Sequence, residues 1–319
     1  MPSLTPSASK TRNPMNRLHT PPPQEQIYAC HLPGRYIGYT VEAYFCDRFP
    51  YFEREEWERR IVTGRITVNG LPVALGTRLK EHDYIVTNMG VRTEPPADRK
   101  LEVVYEDDHL RAFNKGAPLP VHPSGRYFLN SMTELLRQRY PDEVPRPVQR
   151  LDATTTGLVL FAKTREAAYN LSQEFTRNRV HKEYLALVAG EPQSPRFVVD
   201  LPVGKVVGSA RGVGPDIRNP KSAVTVFECL AVKEGVSLIR AVPHTGRTNQ
   251  IRVHLASMGL PILNDEVYGE KIEGSYEYGL HAYRLVFHGP GGAMELTAPW
   301  PEHFSPLIEH SVLAGETKV

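Results

Sequence analysis

Several features that mark common classes of chemistry are missing from this sequence of 319 residues. Its three cysteines, Cys30, Cys46 and Cys229, are too far apart for a metal-binding or disulfide pattern, which predicts a reducing compartment. There is no Gly-rich phosphate loop, no His-Glu-x-x-His sequence and no nucleophile elbow. These absences argue against nucleotide-dependent, metal-dependent and serine-hydrolase chemistry.

Long apolar runs are also absent, since no stretch approaches the roughly 18 consecutive apolar residues of a membrane helix. The first 26 residues hold six prolines and no apolar signal-peptide centre, and we interpret them as a disordered tail of a cytoplasmic protein. Because no acid precedes Glu25, an organellar transit peptide stays open as the alternative.

The net charge is only +2, so a nucleic-acid partner would need a local basic patch. Residues 177–252 hold 12 Lys/Arg against 6 Asp/Glu, which suggests a phosphate-facing surface, although a solvated surface explains such an excess more simply.

A small module is predicted at residues 39–88, after a tail and lead-in at 1–38. A helix near its start is followed by a second helix over 53–63, in which Trp57 and Ile61 share one face. The segment "RITVNG" then predicts a strand closed by the Asn69-Gly70 turn, and "LPVALGTRLKEHDYIV" completes a hairpin-like unit.

A larger domain is predicted at residues 101–308, between a proline-containing linker at 89–100 and a tail at 309–319. Strands are predicted at 101–105, 110–114, 157–162, 184–189, 223–232, 236–242, 281–287 and 294–298, and helices at 130–140, 165–178 and 248–258. Because these strands follow one another without regular crossover helices, a mostly antiparallel α+β sheet is favoured over a doubly wound one.

Asp152 stands in "RLDATTTGLVLFAKT", directly before a short apolar run that predicts a buried strand. A carboxylate at the mouth of a buried strand can be tuned for chemistry, but it can equally cap a turn by accepting from the N–H of Thr154 or Thr155. From these residues alone the capping role is favoured.

Arg252 is the second residue of interest. Thr248 can cap a helix whose apolar face carries Ile251, Leu255 and Met258. Arg252 follows Ile251 and can turn inward, where a buried guanidinium requires a carboxylate partner. Asp152 is the candidate, because a guanidinium can hold a carboxylate through two hydrogen bonds and keep it ionised.

Four segments occur in the order found in one enzyme family: "RLDATTTGLVLFAKT", "KEYLALVAG", "HTGRTNQIRVHLASMGLPILNDEVYG", and "LHAYRLVF" with "LTAPWP". Together they resemble RluA-type pseudouridine synthases over most of residues 101–304. The resemblance implies an isomerase of uridines in ribosomal or transfer RNA, built on a mostly antiparallel mixed sheet. In the first module, "RRIVTGRITVNG" and "RLKEHDYIV" resemble the small α/β alpha-L type RNA-binding domain, which commonly precedes this catalytic domain.

The resemblance also implies roles for three residues. Asp152 would be the essential catalytic carboxylate, Tyr184 would pack on the target base and handle its proton, and Arg252 would form a salt bridge with Asp152. An ionised aspartate can attack the anomeric carbon or take a sugar proton to give a glycal, and neither route needs a cofactor. The target base must leave its stack, so an aromatic platform and basic residues for the flanking phosphates are expected.

RNA is therefore the expected partner, with no membrane, metal or small-molecule cofactor, and the chain is expected to be a monomer. The residues expected to contact RNA are Arg59, Arg60 and Arg65 in the small module and Arg150, Lys182, His244 and Arg247 in the larger domain. Taken singly, each of them is explained more simply as a surface charge.

The sequence departs from the family pattern at five positions. Gln149 and Asn249 stand where the family usually has His, Thr156 where it has Ser, Gly116 where it has Pro, and Asn264 where it has Gly. The changes at Gln149 and Asn249 bear on where the substrate binds. A catalytically impaired RNA-binding protein that retains the synthase fold is therefore the alternative function. A retaining glycosidase or nucleosidase is a third alternative, but it needs a second carboxylate about 5 Å from the first. The sequence nominates none, because Asp265 and Glu266 lie on a turn whose position it does not fix.

Overall fold

A computed structural model describes residues 18–206, 210–273, 275, 277–309 and 311. These residues separate into two compact units. The smaller unit is formed by residues 21–94, and the larger by residues 18–20, 95–206 and the described residues from 210 onward. Most of the two predicted tails, residues 1–17 and 312–319, lies outside the described residues. In the described part of the chain, no helix has the length and apolar character needed to cross a membrane.

The elements between Leu18 and Arg92 are, in chain order, β1 (Leu18–His19), β2 (Gln24–His31), α1 (Val41–Arg48), α2 (Arg54–Val62), β3 (Ile66–Val68), β4 (Leu71–Pro72) and β5 (Tyr84–Arg92). From Ala97 onward they are β6 (Ala97–Asp98), β7 (Leu101–Glu106), β8 (Leu110–Lys115), α3 (Met132–Arg139), β9 (Arg146–Pro147), β10 (Thr156–Ala162), α4 (Arg165–Thr176), β11 (His181–Ala189), β12 (Arg196–Asp200), β13 (Val203–Lys205), β14 (Arg211–Gly212), β15 (Arg218–Lys221), β16 (Val224–Lys233), β17 (Val236–Pro243), α5 (Gln250–Ser257), β18 (Leu280–Gly289), β19 (Gly292–Thr297) and α6 (Ser305–Ile308).

The smaller unit packs α1 and α2 against an antiparallel sheet in the order β2-β5-β3-β4. Trp57 and Ile61 lie in its core, as their spacing on α2 predicts. Asn69 and Gly70 join β3 to β4 with φ angles of 52° and 80°, and a two-residue hairpin turn of this kind requires positive φ at both positions.

The predicted disordered tail and lead-in is wrong over residues 24–31, because these residues form strand β2. Their backbone pairs with β5, from Gln24 opposite Arg92 to His31 opposite Tyr84. The pairing partner lies about sixty residues further along the chain, so local composition does not reveal this strand. The predicted linker at 89–100 is shorter as well, because β5 continues to Arg92 and residues 97–98 pair with β1.

The larger unit is built on a sheet in the order β12-β16-β17-β11-β18-β10-β8-β7, with β19 beside β18 and β9 beside β10. Within this sheet the described pairs are antiparallel except for β10 with β18. The predicted mostly antiparallel α+β fold is therefore confirmed. Every strand and helix predicted from residue 101 onward is present, with bounds that differ by at most three residues, whereas the short β9, β12 to β15 and α6 were not predicted.

The apolar run of β10 is explained by helices on both faces of the sheet. Leu158 and Leu160 pack in one cluster with Leu171 of α4, while Val159 and Phe161 pack on the other side with α3. A strand buried on both faces has no reason to alternate apolar and polar residues. Strand β10 is therefore held firmly where it enters the sheet, which is the end that carries Asp152.

Helix α5 packs on the sheet through Ile251 and Leu255. The predicted cap at Thr248 is wrong, because the helix begins after Asn249, which adopts a left-handed backbone with φ 58° and ψ 18°. Met258 does not belong to the buried face either, since it is 51% exposed. Arg252 does turn inward, as predicted, and is 9% exposed.

Candidate active site

The site is built where the strands β10, β18 and β11 lie side by side. Ala282 of β18 pairs with Gly157 of β10 on one side and with Tyr184 of β11 on the other. Gly157 has a φ of +107°, and a Cβ at this position would overlap the backbone of Ala282. Only glycine allows this close approach. The close approach at Gly157 therefore brings the loop before β10, which carries Asp152, near Ala282 and Tyr184 on the neighbouring strands.

Asp152 presents a carboxylate that is only partly engaged. Its side chain is 38% exposed, and Oδ2 accepts a hydrogen bond from Nη1 of Arg252 at 3.0 Å. No group among the described residues hydrogen-bonds Oδ1. The turn is closed by the backbone instead, because the Asp152 carbonyl accepts from the N–H of Thr155 at 3.1 Å. The alternative that this carboxylate only caps a turn is therefore wrong.

Arg252 contacts Asp152, but its two-point partner is a different carboxylate. Its Nε and Nη2 donate to the two carboxylate oxygens of Asp265, each at 2.7 Å. The predicted bidentate hold on Asp152 is therefore wrong. Asp265 takes that place because it is completely buried on the turn after α5, whereas Asp152 stays partly exposed. The guanidinium also lies 4.9 Å from the ring centre of Tyr268.

Asp265 is saturated with hydrogen bonds. Besides Arg252, it accepts from the hydroxyl of Tyr278 at 2.9 Å and from the backbone N–H groups of Val267 and Tyr268. Burial alone would raise the pKa of its carboxyl, but the hydrogen bonds and charge of Arg252 lower it below its ordinary value. A carboxylate this fully engaged cannot serve as the second catalytic acid or base. This argues against a glycosidase.

Tyr184 lies half-buried on β11, packed against the cluster beneath α5. Burial, and then the negative charge of Asp152, raise the pKa of its hydroxyl to about 12. The hydroxyl is therefore protonated at neutral pH, and no described residue hydrogen-bonds it. An aromatic face with an uncommitted hydroxyl can stack on a base and exchange a proton with it.

Lys115, at the end of β8, fixes the loop that carries Asp152. Its side chain is 1% exposed, and Nζ donates at 2.9, 2.7 and 3.1 Å to the carbonyl oxygens of Gly116, Leu119 and Ala153. Burial lowers the pKa of this amine to about 7, although the charge of Asp152 acts in the opposite direction. A buried amine thus ties the residue after Asp152 to the sheet.

The basic residues predicted to meet RNA in the larger unit form two groups. Lys182 lies at the 243–248 turn, where Nζ is 3.5 Å from the Thr245 carbonyl, and both burial and the charge of Arg247 lower its pKa. His244 of the same turn is exposed, and Arg247 donates through Nε to the Ser222 carbonyl at 2.9 Å. Arg150 is exposed elsewhere, beside His122, whose pKa is lowered by burial and then by the charges of Arg150 and Arg137.

In the smaller unit, the three predicted arginines differ in their surroundings. Arg59 is exposed and pairs with Glu56 at 2.6 Å, and Arg65 is exposed beside Gly90. Arg60 is 7% exposed, pairs with Glu56 at 2.7 Å and lies 4.8 Å from the ring centre of Phe52. Arg60 is part of the interior of the unit, which argues against the prediction that it contacts RNA.

The comparisons with known proteins identify the family of this chain. A family model described as RNA pseudouridylate synthase matches residues 109–257. Over 224 residues the chain is 33% identical to the dual-specificity RNA pseudouridine synthase RluA of Vibrio cholerae, an alignment that covers 69% of this chain and 90% of that protein. The chain belongs to the RNA pseudouridylate synthase family.

Other members of the RNA pseudouridylate synthase family extend the comparison. The chain is 34% identical over 229 residues to the mitochondrial tRNA pseudouridine(32) synthase of Saccharomyces cerevisiae, which covers 70% of this chain and 49% of the yeast protein. It also spans less than half of the human and mouse relatives RPUSD2. Among solved structures, human RNA pseudouridylate synthase domain containing 1 matches with a TM-score of 0.56 and 27% identity, over 66% of this chain and 88% of that one.

Four departures from the family pattern have local structural explanations. The Gln149 side chain pairs with the backbone of β10, donating to the Leu158 carbonyl at 3.2 Å and accepting from the Leu160 N–H at 3.1 Å. Thr156 keeps a hydroxyl, 2.8 Å from Nδ1 of His281. A side chain at Gly116 would come within 2.5 Å of the Asp98 carboxylate, and Asn264 binds the backbone of residues 272, 275 and 277. Among the described residues, the side chains of Gln149, Thr156 and Asn264 make no hydrogen bond to Asp152 or Arg252.

The sequence did not reveal that Asp265 holds Arg252 through two hydrogen bonds, or that Lys115 fixes the loop that carries Asp152. A weak signal existed for Lys115, a charged residue at the end of the strand-forming segment "LRAFNK". Asp265 carried no such signal, because its burial depends on how the turn after α5 folds back onto Arg252.

Proposed function

We propose that this protein is an RNA pseudouridine synthase that isomerises specific uridines in ribosomal or transfer RNA. The observation that carries the proposal is the Asp152–Arg252 contact in a member of this family. One carboxylate oxygen is held by a fixed guanidinium, while the other has no hydrogen-bond partner among the described residues, on a side chain that is 38% exposed. That is the arrangement a carboxylate needs in order to react with a bound sugar.

Asp152 would act on the ribose of a uridine that has left its stack. Its free Oδ1 can attack the anomeric carbon, or remove a sugar proton to give a glycal, while the bond to the base nitrogen breaks. The base then turns and bonds to the anomeric carbon through a ring carbon, which releases the Asp152 carboxylate or lets it return the sugar proton to the glycal. The ring carbon loses its hydrogen, and the freed base nitrogen takes up a proton. Arg252 places a positive charge beside this carboxylate and holds one of its oxygens in place.

Tyr184 would stack on the flipped base and handle its proton. Its position beside the Asp152 loop, its half-buried ring and its uncommitted hydroxyl support this role. Around it, Lys182, His244 and Arg247 would meet the RNA backbone at the 243–248 turn, and Arg150 would do so near His122. Phosphate contacts of this kind position the RNA but do not select its sequence.

We further propose that the smaller unit is an alpha-L type RNA-binding domain. Residues 21–94 contain nine Lys/Arg and ten Asp/Glu, so any attraction for RNA must come from local placement, not from overall charge. Arg59 and Arg65 are exposed and lie near each other in sequence, at the end of α2 and just before β3. These two residues are our candidates for phosphate contacts.

The remaining proposals concern the setting of the enzyme. We expect it to work as a monomer with RNA as its partner and without a cofactor, because the proposed chemistry needs only the carboxylate. We place it in the cytoplasm, and the organellar alternative stays open because the yeast relative is named as mitochondrial.

The test compares pseudouridine in ribosomal and transfer RNA from cells with and without the gene. Complementation with the wild-type protein should restore the lost sites, and Asp152→Asn, which is isosteric but cannot ionise, should not. Restoration by Asp152→Asn would show that Asp152 is not the catalytic carboxylate. Unchanged pseudouridine in cells without the gene would instead favour a non-catalytic RNA-binding protein.

A further inference from the structure

Asn249 is the residue at which the 243–249 loop turns into α5. Its left-handed backbone, with φ 58° and ψ 18°, is a conformation that asparagine tolerates better than most residues. Its side chain makes no capping bond to its own helix. It reaches instead towards Arg252 and Tyr268, and neither of these contacts follows from the family resemblance.

Asn249 joins these two residues through both ends of its amide. Oδ1 accepts from Nη1 of Arg252 at 3.2 Å, and Nδ2 donates to the Tyr268 hydroxyl at 2.9 Å. The orientation of the amide is set by chemistry, because a guanidinium can only donate and must therefore face the oxygen. The same hydroxyl accepts from the backbone N–H of Arg211 at 2.9 Å.

The contact with Asn249 completes the hydrogen bonding of Nη1, the guanidinium nitrogen of Arg252 that faces Asp152. Asp265 holds Nε and Nη2, so Nη1 is the group that meets Asp152. Nη1 carries two hydrogens, of which Asp152 takes one and Asn249 the other. The ring of Tyr268 packs against the guanidinium group, and its centre lies 4.9 Å from the guanidinium carbon.

We propose that Asn249 is a positioning residue that, together with Tyr268, aims Nη1 of Arg252 at Asp152; the proposal rests on the function proposed above. Without Asn249, a buried N–H of Arg252 would lose its partner, and the guanidinium could tilt away from Asp152. The contact of Arg252 with Asp265 would remain. The loss should therefore appear in the chemical step more than in RNA binding.

The neutrality of asparagine is part of the proposal, because the family usually has histidine at this position. The charged or titratable groups around Asn249 are Arg252 on its own helix, Asp152 before β10, Asp265 and Tyr268 on the turn after α5, and Arg211 of β14. An imidazole here would titrate near its ordinary pKa of roughly 6.5, or lower beside a guanidinium. Its protonated form would repel Arg252, whereas asparagine keeps the junction uncharged at every pH.

The experiment measures kcat and KM for pseudouridine formation by Asn249→Gly, which keeps the left-handed backbone and removes only the amide. We expect kcat to fall roughly tenfold, the size expected for a hydrogen bond to a charged group, with little change in KM. Asn264→Gly is the matched control. Asn264 is also left-handed, with φ 60°, and its side chain bonds only to backbone away from Arg252. Its kcat should stay at the wild-type value.

Two further variants test the mechanism. Tyr268→Phe should lower kcat in the same direction, and adding it to Asn249→Gly should cost less than the sum of the two single effects, because both act through one junction. Asn249→His should match wild type near pH 8 and lose activity relative to it below about pH 6, because the imidazolium then faces Arg252.

Wild-type kcat in Asn249→Gly, or an equal loss in Asn264→Gly, would overturn the proposal. If the wild-type protein forms no pseudouridine on any RNA, the proposed function fails separately. The contact is then judged by nitrogen-15 NMR of the Arg252 guanidinium. We expect its Nη1 hydrogens to exchange slowly in wild type and Asn264→Gly and rapidly in Asn249→Gly. Equal exchange in all three would refute the role of Asn249.

Discussion

Arg252 binds Asp265 through two hydrogen bonds of 2.7 Å, one from Nε and one from Nη2. The same guanidinium donates a single bond of 3.0 Å to Asp152. The two carboxylates therefore have separate tasks. Asp265 is fully buried and fixes the cation, whereas Asp152 is partly exposed and has one oxygen without a hydrogen-bond partner among the described residues.

This division predicts that the two carboxylates differ in their contribution to stability. Asp265→Asn should lower the free energy of unfolding by about 3–5 kcal/mol, because it leaves the buried Arg252 without its main counter-charge. Asp152→Asn removes a partner that is 38% exposed, and its effect should stay within about 1 kcal/mol. Urea unfolding of both variants measures the difference. Equal losses would show that Asp265 is not the anchor.

Arg252→Lys tests the geometry of the guanidinium at constant charge. A lysine ammonium cannot hold Asp265 at two points and also reach Asp152, so kcat should fall by more than roughly tenfold. Arg284→Lys is a suitable control, because Arg284 also pairs with two carboxylates, those of Glu183 and Glu295, away from Asp152. A similar loss of kcat in both variants would mean that Arg252 has no special role.

Tyr184→Phe separates stacking from proton handling. Phenylalanine keeps the ring but removes a hydroxyl that is protonated at neutral pH, because its pKa is raised to about 12. We expect RNA affinity to be nearly unchanged and kcat to fall by roughly 10²-fold or more, the usual range for a lost general acid or base. Tyr184→Ala should weaken RNA binding as well. Full activity of Tyr184→Phe would leave the ring alone as the functional group.

Lys115 predicts a pH dependence of stability. Its pKa falls from the ordinary 10.5 to about 7 in the folded protein, chiefly through burial. Between these values the unfolded chain binds more protons than the folded one, so this residue makes the free energy of unfolding rise with pH, by at most about 1.4 kcal/mol per unit. Below pH 7 its contribution is constant. Lys115→Met lacks the effect, so the stability of wild type relative to this variant should increase from pH 7 to pH 10. A constant or decreasing difference would contradict the prediction.

The sequence predicted what depends on local pattern and missed what depends on distant pairing. The apolar run of β10 and the spacing of Trp57 and Ile61 on α2 each belong to one element, and their burial followed the pattern. Strand β2 was missed because its partner β5 lies far along the chain. The site divides in the same way. Family motifs placed Asp152 beside Arg252, but only the folded turn after α5 shows that Asp265 takes the two-point contact.

Arg60 shows a related limit. Its segment carries alternating charges, and Arg59, Arg60 and Arg65 look alike in the sequence. Only Arg59 and Arg60 lie on α2, and the rotation of that helix decides that Arg60 faces the interior, where it lies beside Phe52 and Glu56. A charge on an amphipathic helix therefore becomes a candidate for RNA binding only when its exposure is known.

The last prediction tests the smaller unit in the full-length protein. Replacing Arg59 and Arg65 together by alanine should weaken RNA binding and reduce the dependence of affinity on salt. Each lost phosphate contact removes roughly 0.7–0.9 from the logarithmic salt slope. The catalytic residues remain in place, so kcat at saturating RNA should stay near the wild-type value.

Arg60→Ala is the matched control for this experiment. Because Arg60 is 7% exposed and paired with Glu56, its removal should lower the free energy of unfolding of the small unit and leave the salt slope unchanged. Titrations of RNA at several salt concentrations distinguish the two effects. A wild-type affinity and salt slope in the double variant would show that neither Arg59 nor Arg65 touches RNA. A reduced slope in Arg60→Ala alone would show that this arginine reaches RNA despite its burial.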